Sequence, residues 1–202
     1  MHRYIIPVFA LVMLLSLGQA ALAFGRFGAT DLMETPTSGT LSEDAFAIFG
    51  SFAEGGTVLF GMDFGLIPDL ELGLSILCGS GWQTASLRLK YHLLSEQYDG
   101  FGLAVGIQDI GQGTISPYVV AGKTLAPDFQ GYLGIGGGWM EGIFFGLNKR
   151  LKTQRQADLF LEYDGAEANF GGRVKLTQNV GLDVGLAGLD RVVVGVNYLS
   201  RF

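Results

Sequence analysis

The chain of 202 residues has one cysteine, five prolines and two histidines, and only 16% of its residues are charged. A single Cys78 excludes a disulfide framework and any Cys-rich metal site. So few charges beside 49% hydrophobic residues exclude an extended disordered chain. With 13 basic against 19 acidic residues, the chain lacks the positive excess of a typical nucleic-acid binder. The 32 glycines follow no strict period of three, which excludes collagen. After residue 23 no run approaches the roughly 18 apolar residues of a transmembrane helix, so any membrane crossing must use strands.

The first 23 residues read as an export signal. His2 and Arg3 precede an apolar stretch from Ile5 to Leu15, and Ala21-Leu22-Ala23 forms a small-x-small cleavage site. Cleavage after Ala23 places Phe24 at the start of an acidic mature chain. Residues 24–42, with Pro36 and Gly39 among Thr and Ser, read as an irregular lead-in, and residues 43–202 as a single β domain.

From Glu43 onward, apolar residues occupy alternate positions over stretches of about 8 to 11 residues separated by polar or glycine-rich breaks, the signature of strands. Phe46, Ile48, Gly50 and Phe52 share one face, as do Val58, Phe60, Met62 and Phe64, Leu70, Leu72, Leu74, Ile76 and Cys78, and, on the return strand of that last hairpin, Ala85, Leu87, Leu89, Tyr91 and Leu93. Further strands are predicted at Phe101–Ile110, Ile115–Lys123, Gln130–Met140, Gly142–Arg150, Ala157–Asp164, Glu167–Leu176, Val180–Ala187 and Arg191–Phe202. The total is about twelve, within a range of ten to fourteen, because Gly134–Gly138 blurs the alternation. No segment sustains a helical apolar repeat over three turns. The predicted fold is all-β: an antiparallel transmembrane β-barrel, with a soluble exported β-sandwich as its rival.

Three features favour the barrel. The spacing of strands matches the roughly 9 to 11 residues of a tilted membrane strand plus a turn. The face opposite the apolar one collects Asp63, Glu71, Arg88, Lys90, Lys123, Asp158, Glu162, Arg173, Lys175 and Asp183, which predicts a polar lumen. Val192, Val194, Val196 and Tyr198 lead to a terminal Phe202, resembling the assembly signal of outer-membrane barrels, although Ser200 departs from it. Closure satisfies the sheet edges that hydrocarbon cannot. The hairpin about Gly79–Gly81 is expected to set Glu71 opposite Arg88, and the hairpin near Gly165 to align Asp158 with Arg173 and Glu162 with Asn169. Trp82, Tyr91, Tyr118, Tyr132, Trp139, Tyr163 and Tyr198 are candidates for interfacial girdles where they face outward, Trp82 being placed inward.

No catalytic or cofactor motif emerges. His92 stands alone near a strand end, no zinc or nucleophile-elbow pattern is present, and Gly136-Gly137-Gly138 precedes no predicted helix. The expectation is a noncatalytic protein without a cofactor. Its partners would be outer-membrane lipid and the barrel assembly machinery, with polysaccharide or secretion-system proteins beyond them, and no nucleic acid.

Gly28-Ala29-Thr30-Asp31-Leu32-Met33-Glu34-Thr35-Pro36-Thr37, Leu87-Arg88-Leu89-Lys90-Tyr91, Val105–Gly111, Ser116–Lys123 and Leu161-Glu162-Tyr163-Asp164-Gly165 together resemble the YjbH-like family of Gram-negative outer-membrane proteins. That resemblance implies an outer-membrane β-barrel associated with exopolysaccharide production. The expected role is envelope transport or polysaccharide secretion. The alternatives are a structural barrel with a packed interior and a soluble exported binding protein.

Overall fold

The computed structural model describes residues 28–202; the predicted signal segment, residues 1–23, lies outside them. Twelve strands form among the described residues: β1 (Ala45–Ala53), β2 (Thr57–Ile67), β3 (Leu70–Gly79), β4 (Trp82–Leu94), β5 (Gly102–Ile110), β6 (Ser116–Ala126), β7 (Phe129–Gly136), β8 (Gly142–Leu151), β9 (Ala157–Tyr163), β10 (Ala168–Lys175), β11 (Val180–Ala187) and β12 (Arg191–Arg201). Each pairs antiparallel with its sequence neighbours, and β1 closes on β12 from Ala45 opposite Arg201 to Ala53 opposite Val193. Closure leaves no free edge.

Exposure decides between barrel and sandwich. Phe60, Leu133 and Ile143 on the outer face are 61%, 60% and 62% exposed, whereas inward Asp63, Asn169 and Asp183 are 0% exposed. A soluble sandwich buries its apolar face; this molecule displays that face and encloses its charges. The band needs hydrocarbon as its solvent. No described helix is long and apolar enough to cross a membrane, and the crossing elements are the strands.

The β3–β4 hairpin turns on Ser80-Gly81, with Gly81 at φ 79°, a conformation suited to a two-residue hairpin loop. This centre lies one residue beyond the expected one and shifts every partner by two. Glu71 therefore stands opposite Lys90, and Arg88 opposite Gly73. The β9–β10 register matches expectation, with Asp158 opposite Arg173 and Glu162 opposite Asn169.

The largest departure in strand length is at β7, predicted to run to Met140 but ending at Gly136. Gly138 at φ 66° starts a single 3₁₀ turn, Gly138–Met140, that carries Trp139 and Met140 inward. There they join Tyr118, Val120 and Phe144 in a buried apolar cluster. Trp139 and Tyr118 are thus interior residues rather than parts of an interfacial girdle. Tyr91 and Tyr198 remain exposed, and Tyr163 stacks on Phe145 at 5.7 Å.

Candidate functional site: a lumen occupied by the segment before β1

Residues 28–42 form neither helix nor strand, yet most are buried. They run inside the barrel, turn at Met33–Thr35, and descend to β1. The physical reason is a set of inward charges that this short polar segment can satisfy without water. Inward glycines provide the space: a Cβ at Gly146 would meet the Leu32 side chain, and one at Gly185 the Met33 sulfur.

At the turn, the Glu162 carboxylate accepts backbone N–H bonds from Met33 at 3.1 Å, Glu34 at 2.7 Å and Thr35 at 3.2 Å. The Thr35 hydroxyl donates to it at 2.7 Å and the Asn169 amide at 3.2 Å. Successive backbone donors converging on one anion form a nest, whose partial positive charge compensates the carboxylate's burial.

Nearer the barrel end that carries β1 and the end of β12, the same segment meets a charge ladder on β2, β3 and β4. Asp63 accepts from the Ala29 N–H at 3.0 Å and from Arg88 Nε at 3.0 Å and Nη2 at 2.5 Å. Arg88 also lies 3.8 Å from Asp31 and over the Phe49 ring at 5.0 Å. Lys90 donates to Asp31 at 2.7 Å, and Glu71 accepts from the Thr30 hydroxyl and from the Leu41 N–H at 2.8 Å. Burial pushes the Asp31 carboxyl upward, but the Lys90 and Arg88 charges outweigh it and hold the group below its ordinary value.

Replacing Asp63 with Ala removes the anchor of this ladder. Arg88 keeps Asp31 as a second partner, so the expected loss is about 2–3 kcal/mol, below or at the low end for a broken buried pair. Urea unfolding in lipid vesicles checks it; the double variant Asp63→Ala/Arg88→Ala should lose less than the sum of the single variants.

A third group lies on β9 to β12. Arg173 donates to Asp183 at 2.5 Å, and Asn197 donates to the other Asp183 oxygen at 2.6 Å. Arg173 also reaches the Gly28 carbonyl at 3.4 Å and the Asp31 carbonyl at 3.5 Å. Asp158 pairs with Arg150 at 3.3 Å, not with Arg173 across the ladder. Between the internal segment and this wall lies a cavity of about 210 Å³, lined in part by Arg150, Asp158, Arg173, Lys175 and Asn179.

Nine of the ten predicted lumen residues therefore sit on the inward side: Asp63, Glu71, Arg88 and Lys90 in one group, Glu162 at the turn, and Asp158, Arg173, Lys175 and Asp183 along the opposite wall. Lys123 is the exception. In β6 the inward positions are Ser116, Tyr118, Val120 and Gly122, which leaves Lys123 exposed on the outer face. Alternation misleads here because Tyr118 and Val120 are apolar yet point inward against Phe144 and Trp139. Arg150 belongs to the basic groups that the sequence already offers for an anionic solute, and it lines this cavity. Sequence reasoning passes over Asp31 as the central anion, because Asp31 acts from a segment without secondary structure.

Among the described residues no group of three metal-ligating side chains occurs. Asp63, Glu71, Asp158, Glu162 and Asp183 are each engaged by a cation or an N–H donor. The arrangement can hold the internal segment and present cations to a small aqueous space.

No protein-family model matches the chain, and no curated protein matches it. Solved structures do. A KdgM porin is similar over 76% of this chain and 98% of its own, with a TM-score of 0.59 at 13% identity. The fold is that of a porin-like outer-membrane barrel. A KdgM porin in complex with disordered oligogalacturonate gives a TM-score of 0.58 at 12% identity, with the same coverage. The outer-membrane protein Omp33 of Acinetobacter baumannii covers 79% of this chain and 99% of its own, at 13% identity and a TM-score of 0.49. The similarity supports the porin-like barrel, and is not specific to the YjbH-like family. Together with the lipid-facing band, this fold makes the protein a bacterial outer-membrane β-barrel.

Proposed function

We propose that the protein is a noncatalytic outer-membrane barrel that supports envelope transport of anionic, carbohydrate-type solutes, with its lumen occupied at rest by residues 28–42. The observation that carries this reading is the cationic wall of Arg150, Arg173 and Lys175 around the internal cavity. Asp158 and Asp183 pair with Arg150 and Arg173, whereas Lys175 makes no ion pair among the described residues. Low-dielectric walls focus such a field and favour anions at the mouth. Oligogalacturonate, the ligand in the KdgM complex, is a polyuronate and supports the same substrate class. Exopolysaccharide secretion is the finer assignment implied by the YjbH-like resemblance. It would involve polysaccharide or secretion-system proteins as partners, after export on residues 1–23 and insertion by the barrel assembly machinery.

Made in the barrel opened by removal of residues 28–40, Arg150→Gln/Lys175→Gln tests the wall while leaving the Arg173–Asp183 pair in place. Reversal potentials in planar bilayers should show the anion-to-cation permeability ratio falling about threefold or more, as removal of two like charges from a confined mouth requires. An unchanged ratio in a folded variant that conducts would remove the anionic assignment. The packed interior supports a second reading, a structural barrel. The hydrogen-bonded segment and the Trp139 cluster both fill space that an open pore would leave to water. That reading requires the absence of conductance even after residues 28–40 are removed.

A further inference from the structure

We propose that the outer groove between β6, β7 and β8 seats one acidic phospholipid, its acyl chain against the groove floor and its phosphate between Lys123 and Lys149. Two observations carry this site independently of the lumen.

The first is shape. Ala121 and Gly131 leave a depression of about 430 Å³ in the outer face, flanked by Phe101, Leu125, Leu133, Phe145 and Leu147. A groove with an apolar floor and bulky walls holds an extended chain at more of its atoms than a flat surface does.

The second is charge. On the outward positions of the twelve strands, Lys123 and Lys149 are the charged residues, and they flank the same strand, β7. Lys123 stands opposite Gly131, and Lys149 opposite Phe129. Two strand spacings and a two-residue offset put their Cα atoms roughly 12 Å apart, within the combined reach of two lysine side chains for one phosphate. Both are within three residues of their strand ends at Ala126 and Leu151, at headgroup depth.

Among the described residues no carboxylate makes an ion pair with either lysine. Glu96, on the short helix α1 (Glu96–Asp99), accepts from the Thr124 N–H at 2.6 Å and from the Thr124 hydroxyl at 3.1 Å. Asp128 pairs with Lys152 at 3.1 Å. Lys123 makes no ion pair among the described residues. Lys149 donates to the Pro127 carbonyl at 3.2 Å and keeps two N–H donors for a phosphate. Lysines that merely extended to the interface would need neither a groove nor each other.

Native mass spectrometry of the detergent-solubilised protein, titrated with phosphatidylglycerol or phosphatidylcholine, tests the site. One phosphatidylglycerol should be retained in preference to phosphatidylcholine, and Lys123→Gln/Lys149→Gln should weaken it about 25-fold, near fivefold per lysine. Gly131→Val keeps both lysines but crowds the groove, because its side chain displaces Leu125 from over Gly131, and it should also abolish the single retained lipid. Heat-dependent gel mobility verifies that each variant is a folded barrel. Equal retention by all three proteins overturns the proposal, as does loss in the lysine variant with full retention in Gly131→Val, which would mean surface charge alone. A dimer mass that disappears in Gly131→Val also overturns it, by assigning the groove to a second copy.

Discussion

Removal of residues 28–40 should convert a closed barrel into a conducting one, raising single-channel conductance in planar bilayers roughly tenfold or more, as expected when a filled lumen becomes an aqueous channel. The inward charges make the truncated barrel viable. Asp63 retains Arg88, Arg173 retains Asp183, and Glu71 stands opposite Lys90 on the neighbouring strand. Only Glu162 loses nearly all its donors, and water replaces them once the lumen is wet. Conductance that stays at the full-length level would assign closure to Trp139, Met140 and Phe144, which occupy the other end of the lumen. Heat-dependent mobility separates that outcome from failure to fold.

Glu162→Ala should release the same segment without shortening the chain. The carboxylate takes three backbone N–H groups, a hydroxyl and an amide at once, and its loss leaves buried donors facing a void. The expected cost to docking is about 3–5 kcal/mol, a few charge-assisted bonds taken together and less than their sum. Hydrogen exchange at Met33, Glu34 and Thr35 measures this directly, because these amides donate to Glu162. Protection falling by about 100-fold or more corresponds to the lower end of that range. Glu162→Gln retains one acceptor oxygen and should fall between. Unchanged protection would show that the apolar contacts of Leu32 and Met33 hold the turn by themselves.

The strands were legible because lipid on one side and polar groups on the other impose a clean period of two. The strand predicted at Val180–Ala187 coincides with β11 to the residue, and the face of β1 carrying Phe46, Ile48 and Phe52 points outward, as its alternation predicts. Alternation lost its meaning where the interior itself is apolar. Tyr118 and Phe144 point inward against a neighbouring aromatic cluster, and in β6 this concealed that Lys123 faces out.

The candidate site was half legible for a different reason. Its charged residues stand out in sequence, but what they bind does not. Glu162 recognises mainly N–H groups, which every residue except proline possesses, from positions 127 to 129 residues away. A Thr-, Ser- and Pro-containing stretch has the same composition whether it lies in solvent or inside a barrel. The polarity that suggested a loose lead-in is what suits it to a polar lumen.

The path of residues 28–42 also bears on how the molecule is put together. The segment precedes β1, yet its partners lie on β2, β3 and β4 on one side and on β9 and β10 on the other. Its berth therefore exists only when distant parts of the sheet already share one cylinder. The earliest part of the described chain is among the last to find its place. Once there it acts as an internal strut across the diameter, tying walls that flank the β1–β12 seam, so that the wall resists flattening and the seam resists parting.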